Sequence, residues 1–131
     1  MTGHGLVLDT RQIDRLAFEL DSRSCAEGFV GLFLEALPDR LETLHRSLLE
    51  GKCEGALVAI LSMATSAAMA GATQLEGRSR AIERSIRAGD LDSARTGARA
   101  LDSNAADFAQ HMAVLLTSAK LSSAEPAQQG P

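Results

Sequence analysis

The sequence predicts an all-α fold: an antiparallel up-down four-helix bundle with an additional short N-terminal helix. Leu and Ala dominate the apolar residues, and aromatic residues make up only 3% of the chain. Leu and Ala favour helices, whereas sheets are usually rich in β-branched and aromatic residues. Apolar residues also recur at spacings of three and four, the period of a helix that buries one face. A chain of 131 residues is enough for one domain with one core, so these helices should pack together.

The first helix is predicted to follow a loose lead-in at residues 1–8. Asp9 and Thr10 can cap it, because their side-chain oxygens accept hydrogen bonds from backbone N–H groups of the first turn. Its apolar face is short and consists of Ile13, Leu16, Ala17 and Leu20. We therefore expect this helix to lie across one end of the bundle.

The second helix is predicted to be long and amphipathic. It begins after the polar run at residues 21–24, and its apolar positions are Phe29, Leu32, Phe33, Leu37, Leu41, Leu44 and Leu48. Pro38 falls inside this pattern, which resumes in phase after it. Pro38 should therefore kink the helix rather than end it.

The remaining three helices follow each other closely. The third is predicted from near Glu54 to about Ala70, the fourth ends at Gly89, and the fifth runs on to residue 119. Short connections place consecutive helices antiparallel, so the bundle should cover residues 9–119. Residues 120–131 lack periodicity and are predicted to form a disordered tail.

Several classes of function are disfavoured by composition and motifs. The formal net charge is −4, whereas nucleic-acid-binding proteins collect basic residues on one face. Cys25 and Cys53 form no Cys-x-x-Cys pair, and the first ten residues do not resemble a signal peptide, which predicts reduced thiols in a cytoplasmic protein. No His or Cys spacing suits a metal, and no phosphate-binding loop is present. We therefore expect no metal, no cofactor and no enzymatic activity.

One segment stands out because residues 55–75 include no charged side chain. It contains too many hydroxyl-bearing residues and too much Ala for a membrane span. If Ile60, Met63 and Ala67 face the core, helical spacing leaves an apolar stripe on the other side. We call this the Leu61 stripe, and it consists of Leu57, Leu61, Ala64, Thr65 and Ala68. An exposed apolar stripe predicts an interaction surface, unless the N-terminal helix or the tail covers it, and we expect His45 and Leu41 of the second helix to border it.

The order of these elements resembles the histidine-containing phosphotransfer (HPt) domains of bacterial phosphorelays, over roughly residues 9–117. The similar segments are the run 33–38, the run 66–72, which aligns with the second half of the family's central motif, and the turn 87–90. The first half of that motif is missing: Leu61 stands at the position of the phosphoaccepting His, Ala64 at that of the Lys, and Thr65 at that of the Gly. Leu61 has no nucleophilic atom, which excludes phosphotransfer at this position.

The resemblance implies a partner from two-component signalling. Our leading hypothesis is a non-catalytic, pseudo-phosphotransfer protein that binds a receiver domain or a histidine kinase through the face around Leu61. It would regulate that partner without relaying phosphate. Two alternatives remain: a homodimeric helical scaffold that uses the same stripe, and a phosphotransfer protein that uses His45.

Overall fold

A computed structural model describes residues 7–128 of the chain, and it describes side chains for residues 7–117. Over this part of the chain the protein is all-helical and has no strand, as predicted. The helices are α1 (Thr10–Glu19), α2 (Arg23–Leu49), α3 (Cys53–Met69), α4 (Thr73–Arg87) and α5 (Leu91–Gln128). Within the described residues, no helix is both long and apolar enough to cross a membrane.

The helix bounds follow the sequence prediction except at the end of the chain. Pro38 lies inside α2, as expected. The last helix α5 continues to Gln128, nine residues beyond its predicted end at 119. Most residues of this stretch tolerate a helix even where no apolar face is repeated, and Pro126, near its end, is the exception. Residues 1–6 of the predicted lead-in and residues 129–131 of the predicted tail lie outside the described residues.

Three glycines make the tight reversals between helices α2 to α5. Gly51, Gly71 and Gly89 have φ angles of 72°, 76° and 76°, a left-handed conformation that glycine adopts without a steric penalty. After each glycine, the next backbone N–H donates to a carbonyl five residues earlier in the preceding helix, at 2.8–2.9 Å. This Schellman-type arrangement satisfies carbonyl groups that a helix end would otherwise leave free.

The core lies inside a ring of four helices. Helix α2 packs against α3, α3 against α4, α4 against α5, and α5 returns to α2. The enclosed side chains are almost all aliphatic, apart from an edge-to-face pair of Phe33 and Phe108 with ring centroids 5.8 Å apart. Helix α1 lies outside this ring and packs against α2 and α3.

The start of α1 is attached to the turn between α3 and α4. The backbone N–H of Asp9 donates to the carbonyl of Gly71 at 2.7 Å. The Asp9 carboxylate caps α1 by accepting from the Arg11 N–H at 3.0 Å, and it also pairs with the Arg11 side chain at 3.1 Å. Hydrogen bonding to the Arg11 side chain is the main reason why the pKa of Asp9 lies below its usual value.

This lowered pKa predicts how the stability contribution of Asp9 depends on pH. A carboxyl group with a lower pKa in the folded state stabilises the fold above its unfolded pKa, and the contribution is lost as pH falls through the folded value. We expect the free energy of unfolding, from urea denaturation, to decrease more between pH 6 and about pH 3 in the wild type than in Asp9→Asn. Asp107→Asn, which changes an exposed carboxylate on α5, is the control. Equal pH dependence of wild type and Asp9→Asn would contradict this role of Asp9.

Candidate functional site

The outward surface of α3 is the uncharged surface that the sequence singled out. After the exposed first turn at residues 53–55, its exposed positions are Val58, Ser62, Thr65 and Met69, which are separated by four, three and four residues. We call these four residues the α3 outer face. Val58 leaves 68% of its surface in solvent and Met69 leaves 43%, although neither is polar. From Val58 to Met69 the α3 helix thus presents a face without charge, and the charged Glu54 lies one turn before it.

The predicted Leu61 stripe does not coincide with this face. Ala64 is fully buried at 0% exposure, so its assignment to an exposed stripe is wrong. Leu57, Leu61 and Ala68 are half-buried, and of the predicted stripe only Thr65 is exposed. The reason is that α3 packs against both α2 and α4. A helix between two neighbours buries its flanks as well as its core-facing row, and the predicted stripe lies mainly on a flank.

Helix α1 covers part of the C-terminal end of the predicted stripe. Ala68 and Met69 line a cavity of about 170 Å³ together with residues of α1, namely Gln12, Arg15, Leu16 and Glu19. The sequence left open whether the N-terminal helix covers the stripe. In the structure α1 lies beside its last turn, and the exposed Val58 at the other end of α3 is not part of that cavity.

His45 lies away from the α3 outer face. Its Nε2 atom is 2.9 and 3.0 Å from the two carboxylate oxygens of Asp102 on α5, which places His45 at the contact between α2 and α5. Leu41, four residues earlier and so on the same side of α2, is half-buried and packs against the core. The structure therefore does not bring His45 and Leu41 to the surface that they were expected to border.

Arg40 of α2 reaches this surface instead. Its Nη1 atom donates to Ser62 Oγ at 3.0 Å and to Ser66 Oγ at 3.1 Å, and the Ser62 carbonyl is farther away at 3.5 Å. We call Arg40, Ser62 and Ser66 the Arg40 cradle. In the part of the chain with described side chains, Arg40 forms no ion pair. The cradle borders a cavity of about 270 Å³ lined by Asp39, Arg40, Thr43, Val58, Ala59 and Ser62.

Sequence reasoning missed Arg40. The available signal was weak: Ser62 and Ser66 are four residues apart and hence on one side of α3, where a neighbouring helix could supply a shared donor. Nothing in the sequence shows which α2 residue reaches them, because this depends on how the two helices are rotated against each other.

The side chains of this surface are apolar or carry a hydroxyl, and Arg40 lies beside them. Leu61 offers no nucleophile, and among the described residues no group of three His, Cys, Asp or Glu side chains is placed to hold a metal. Cys25 and Cys53 are free and exposed, and neither belongs to the α3 outer face. The surface itself combines the exposed apolar Val58 with the half-buried Arg40.

Comparisons of the chain with protein-family models, with curated proteins and with solved structures found no match.

Proposed function

We propose that this chain is a degenerate histidine-containing phosphotransfer protein that acts by binding. In this proposal its helices form an antiparallel up-down four-helix bundle with a short N-terminal helix. The α3 outer face binds a receiver domain or a histidine kinase in the cytoplasm and regulates it without relaying phosphate. The observation that carries the proposal is the exposure of an uncharged face on α3, with Val58 at 68%, on the same helix as Leu61.

Two features of the fold support the proposal. Two of the three similar segments reach a helix junction, since Gly71 makes the turn between α3 and α4, and Gly89 makes the turn between α4 and α5. The position aligned with the phosphoaccepting His is Leu61, which is half-buried on the flank of α3 beside the α3 outer face. Burying an exposed Val or Leu in a complex contributes about 1.5–3 kcal/mol, so an apolar surface here favours a complex that persists.

The structure gives a reason against relay through His45. A carboxylate lies 2.9 Å from its Nε2 atom, and this negative charge would repel an incoming phosphoryl group. The same carboxylate engages Nε2, which leaves Nδ1 as the ring nitrogen that a relay through His45 would have to use. We therefore retain binding, and not phosphotransfer, as the activity.

Self-association through the same surface is the second candidate. The exposed Val58 shares its cavity with one acid, Asp39, and one base, Arg40. In a two-fold symmetric dimer each patch meets a copy of itself, so Asp39 of one copy could face Arg40 of the other. Sedimentation equilibrium at low micromolar concentration distinguishes this candidate, because it requires a dimer that dissociates in Val58→Glu.

The test of the leading proposal is a binding measurement with defined partners. Purified receiver domains and histidine kinases from the organism that encodes the chain are titrated by calorimetry against wild type and Val58→Glu. We expect one of them to bind, and we expect Val58→Glu to weaken binding at least tenfold, about 1.4 kcal/mol, because a charge is then buried in an apolar contact. Leu49→Glu is the matched control, since Leu49 is a 79% exposed apolar residue near the end of α2.

Three results would contradict the proposal. The first is the absence of binding to every receiver domain and kinase tested, and the second is an equal loss of affinity in Val58→Glu and Leu49→Glu. The third is an acid-labile phosphoryl label on the chain after incubation with a phosphorylated receiver, if that label disappears in His45→Gln. This third result would instead support a relay through His45.

A further inference from the structure

Ser79 of α4 makes the hydrogen bond that is usual for a buried serine inside a helix. Its hydroxyl donates to the carbonyl of Leu75 at 2.8 Å, the usual bond of a serine to the preceding turn. Ser62 and Ser66 differ from Ser79, because each accepts a hydrogen bond from Arg40 and neither hydroxyl donates to a described group. A hydroxyl that accepts keeps its own O–H for donation. The Arg40 cradle thus carries two unused O–H donors, one helical turn apart.

The guanidinium of Arg40 has unused donors as well. All of its hydrogen bonds within the described residues involve Nη1, which leaves the N–H groups of Nε and Nη2 without a protein acceptor there. A guanidinium edge of this kind matches the two oxygens of a carboxylate or a phosphate. The cradle therefore combines one positive charge with several donors and lacks an acceptor that would satisfy them.

The residues around the Arg40 cradle indicate which charge is favoured in its ligand. Arg40 is half-buried, so its field is screened less than that of a fully exposed cation. Asp39 lines the same cavity without pairing with Arg40, and its negative charge opposes the entry of a free dianion. A singly charged oxyanion that is held in place by additional contacts is favoured. Val58, in the same cavity, offers the apolar contact.

We infer that the Arg40 cradle is an oxyanion site, and that its ligand is a carboxylate side chain of the protein that docks on the α3 outer face. The identity of the partner class rests on the proposed function, whereas the oxyanion site rests on the cradle alone. In the complex the carboxylate accepts from Arg40 Nε and Nη2, while Ser62 and Ser66 hold the guanidinium in place through Nη1. Arg40 then fixes the position of the partner, and Val58 supplies the apolar contact.

The oxyanion site can be tested without a partner. The protein is titrated with sodium acetate against sodium chloride at equal ionic strength, and NMR follows the Arg40 Nε–Hε signal and the backbone amides of Ser62 and Ser66. We expect saturable shifts with a Kd on the order of 10 mM, as suits a few charge-assisted hydrogen bonds made by a small anion. Shifts that grow linearly, without saturation, would overturn the assignment.

Matched variants test whether acetate binds at the Arg40 cradle. The double variant Ser62→Ala/Ser66→Ala keeps Arg40 and places a better helix former at both positions, so it should fold. We expect it and Arg40→Gln each to weaken acetate binding at least fivefold. Arg46→Gln, which changes an exposed arginine of the same helix, should not weaken it. Equal affinity in all four proteins would show non-specific binding and would overturn the inference. A second titration with inorganic phosphate tests the anion class, since phosphate binding more tightly than acetate would overturn the assignment to a carboxylate.

The partner experiment separates this inference from the proposed function. With a receiver domain or kinase that binds the wild type, we expect Arg40→Gln to weaken binding about tenfold and to reduce its salt dependence. If Val58→Glu abolishes binding while Arg40→Gln leaves it unchanged, the carboxylate contact is wrong and the proposed function stands. If acetate saturates the cradle but no receiver or kinase binds, the oxyanion site stands and the proposed partner class fails.

Discussion

Replacing Ala64 by lysine is expected to destabilise the fold by about 3 kcal/mol or more, because a charged and much larger side chain would enter a filled interior. Ala64 is fully buried. In the proposed alignment its position corresponds to the lysine of the phosphotransfer motif, so this substitution would restore one element of that motif. The structure leaves no room for it.

Thr65→Lys is the matched control for this prediction. Thr65 is the next residue on α3 and is exposed, so the same new side chain would lie in water there and should change stability by less than about 0.5 kcal/mol. Urea denaturation followed by circular dichroism gives the free energy of unfolding of both variants. A stable Ala64→Lys protein, within about 1 kcal/mol of Thr65→Lys, would show that the position is open in solution and could hold the motif lysine.

The helices could be predicted from the sequence because their signals are local. The turn at Gly71 requires a residue with a positive φ angle, and the start of α1 requires an N-cap, which Asp9 provides. Each of these signals can be read from one residue of the sequence. The end of α5 was predicted too early because the sequence criterion was a repeated apolar face. Such a face reports burial, whereas the helix itself requires only residues that tolerate its backbone.

The site was predicted less accurately because it depends on packing. Periodicity correctly gave Ile60, Met63 and Ala67 as the core row of α3, but it does not fix how far the neighbouring helices wrap around the flanks. Ala64 was therefore predicted to be exposed, although it lies on a buried flank of α3. Arg40 was missed for a related reason, since its contact with Ser62 joins residues 22 positions apart on two helices whose relative rotation the sequence does not show.

Gly71→Ala is expected to cost about 3 kcal/mol, substantially more than Gly51→Ala at about 1 kcal/mol. Both glycines lie in helix-ending turns with nearly the same positive φ, 76° and 72°, so the backbone penalty of alanine is the same. The surroundings differ. A Cβ on Gly51 would meet no atom within 4 Å, whereas a Cβ on Gly71 would collide with the backbone carbonyl oxygen of Asp9. A backbone atom cannot rotate away as a side chain can, so the start of α1 would have to move.

The difference between these two variants therefore measures how firmly α1 is attached to the ring of four helices. Movement of Asp9 would break its 2.7 Å hydrogen bond to the Gly71 carbonyl and would pull Leu16, which is 5% exposed, away from the core. We expect hydrogen exchange in Gly71→Ala to show lost protection in α1 while α4 and the first half of α5 stay protected, and we expect no such change in Gly51→Ala. Equal destabilisation of the two variants would mean that only the φ angle matters at Gly71. The contact with Asp9 would then contribute nothing measurable, and the position of α1 beside the last turn of α3 would have to depend on its apolar side chains alone.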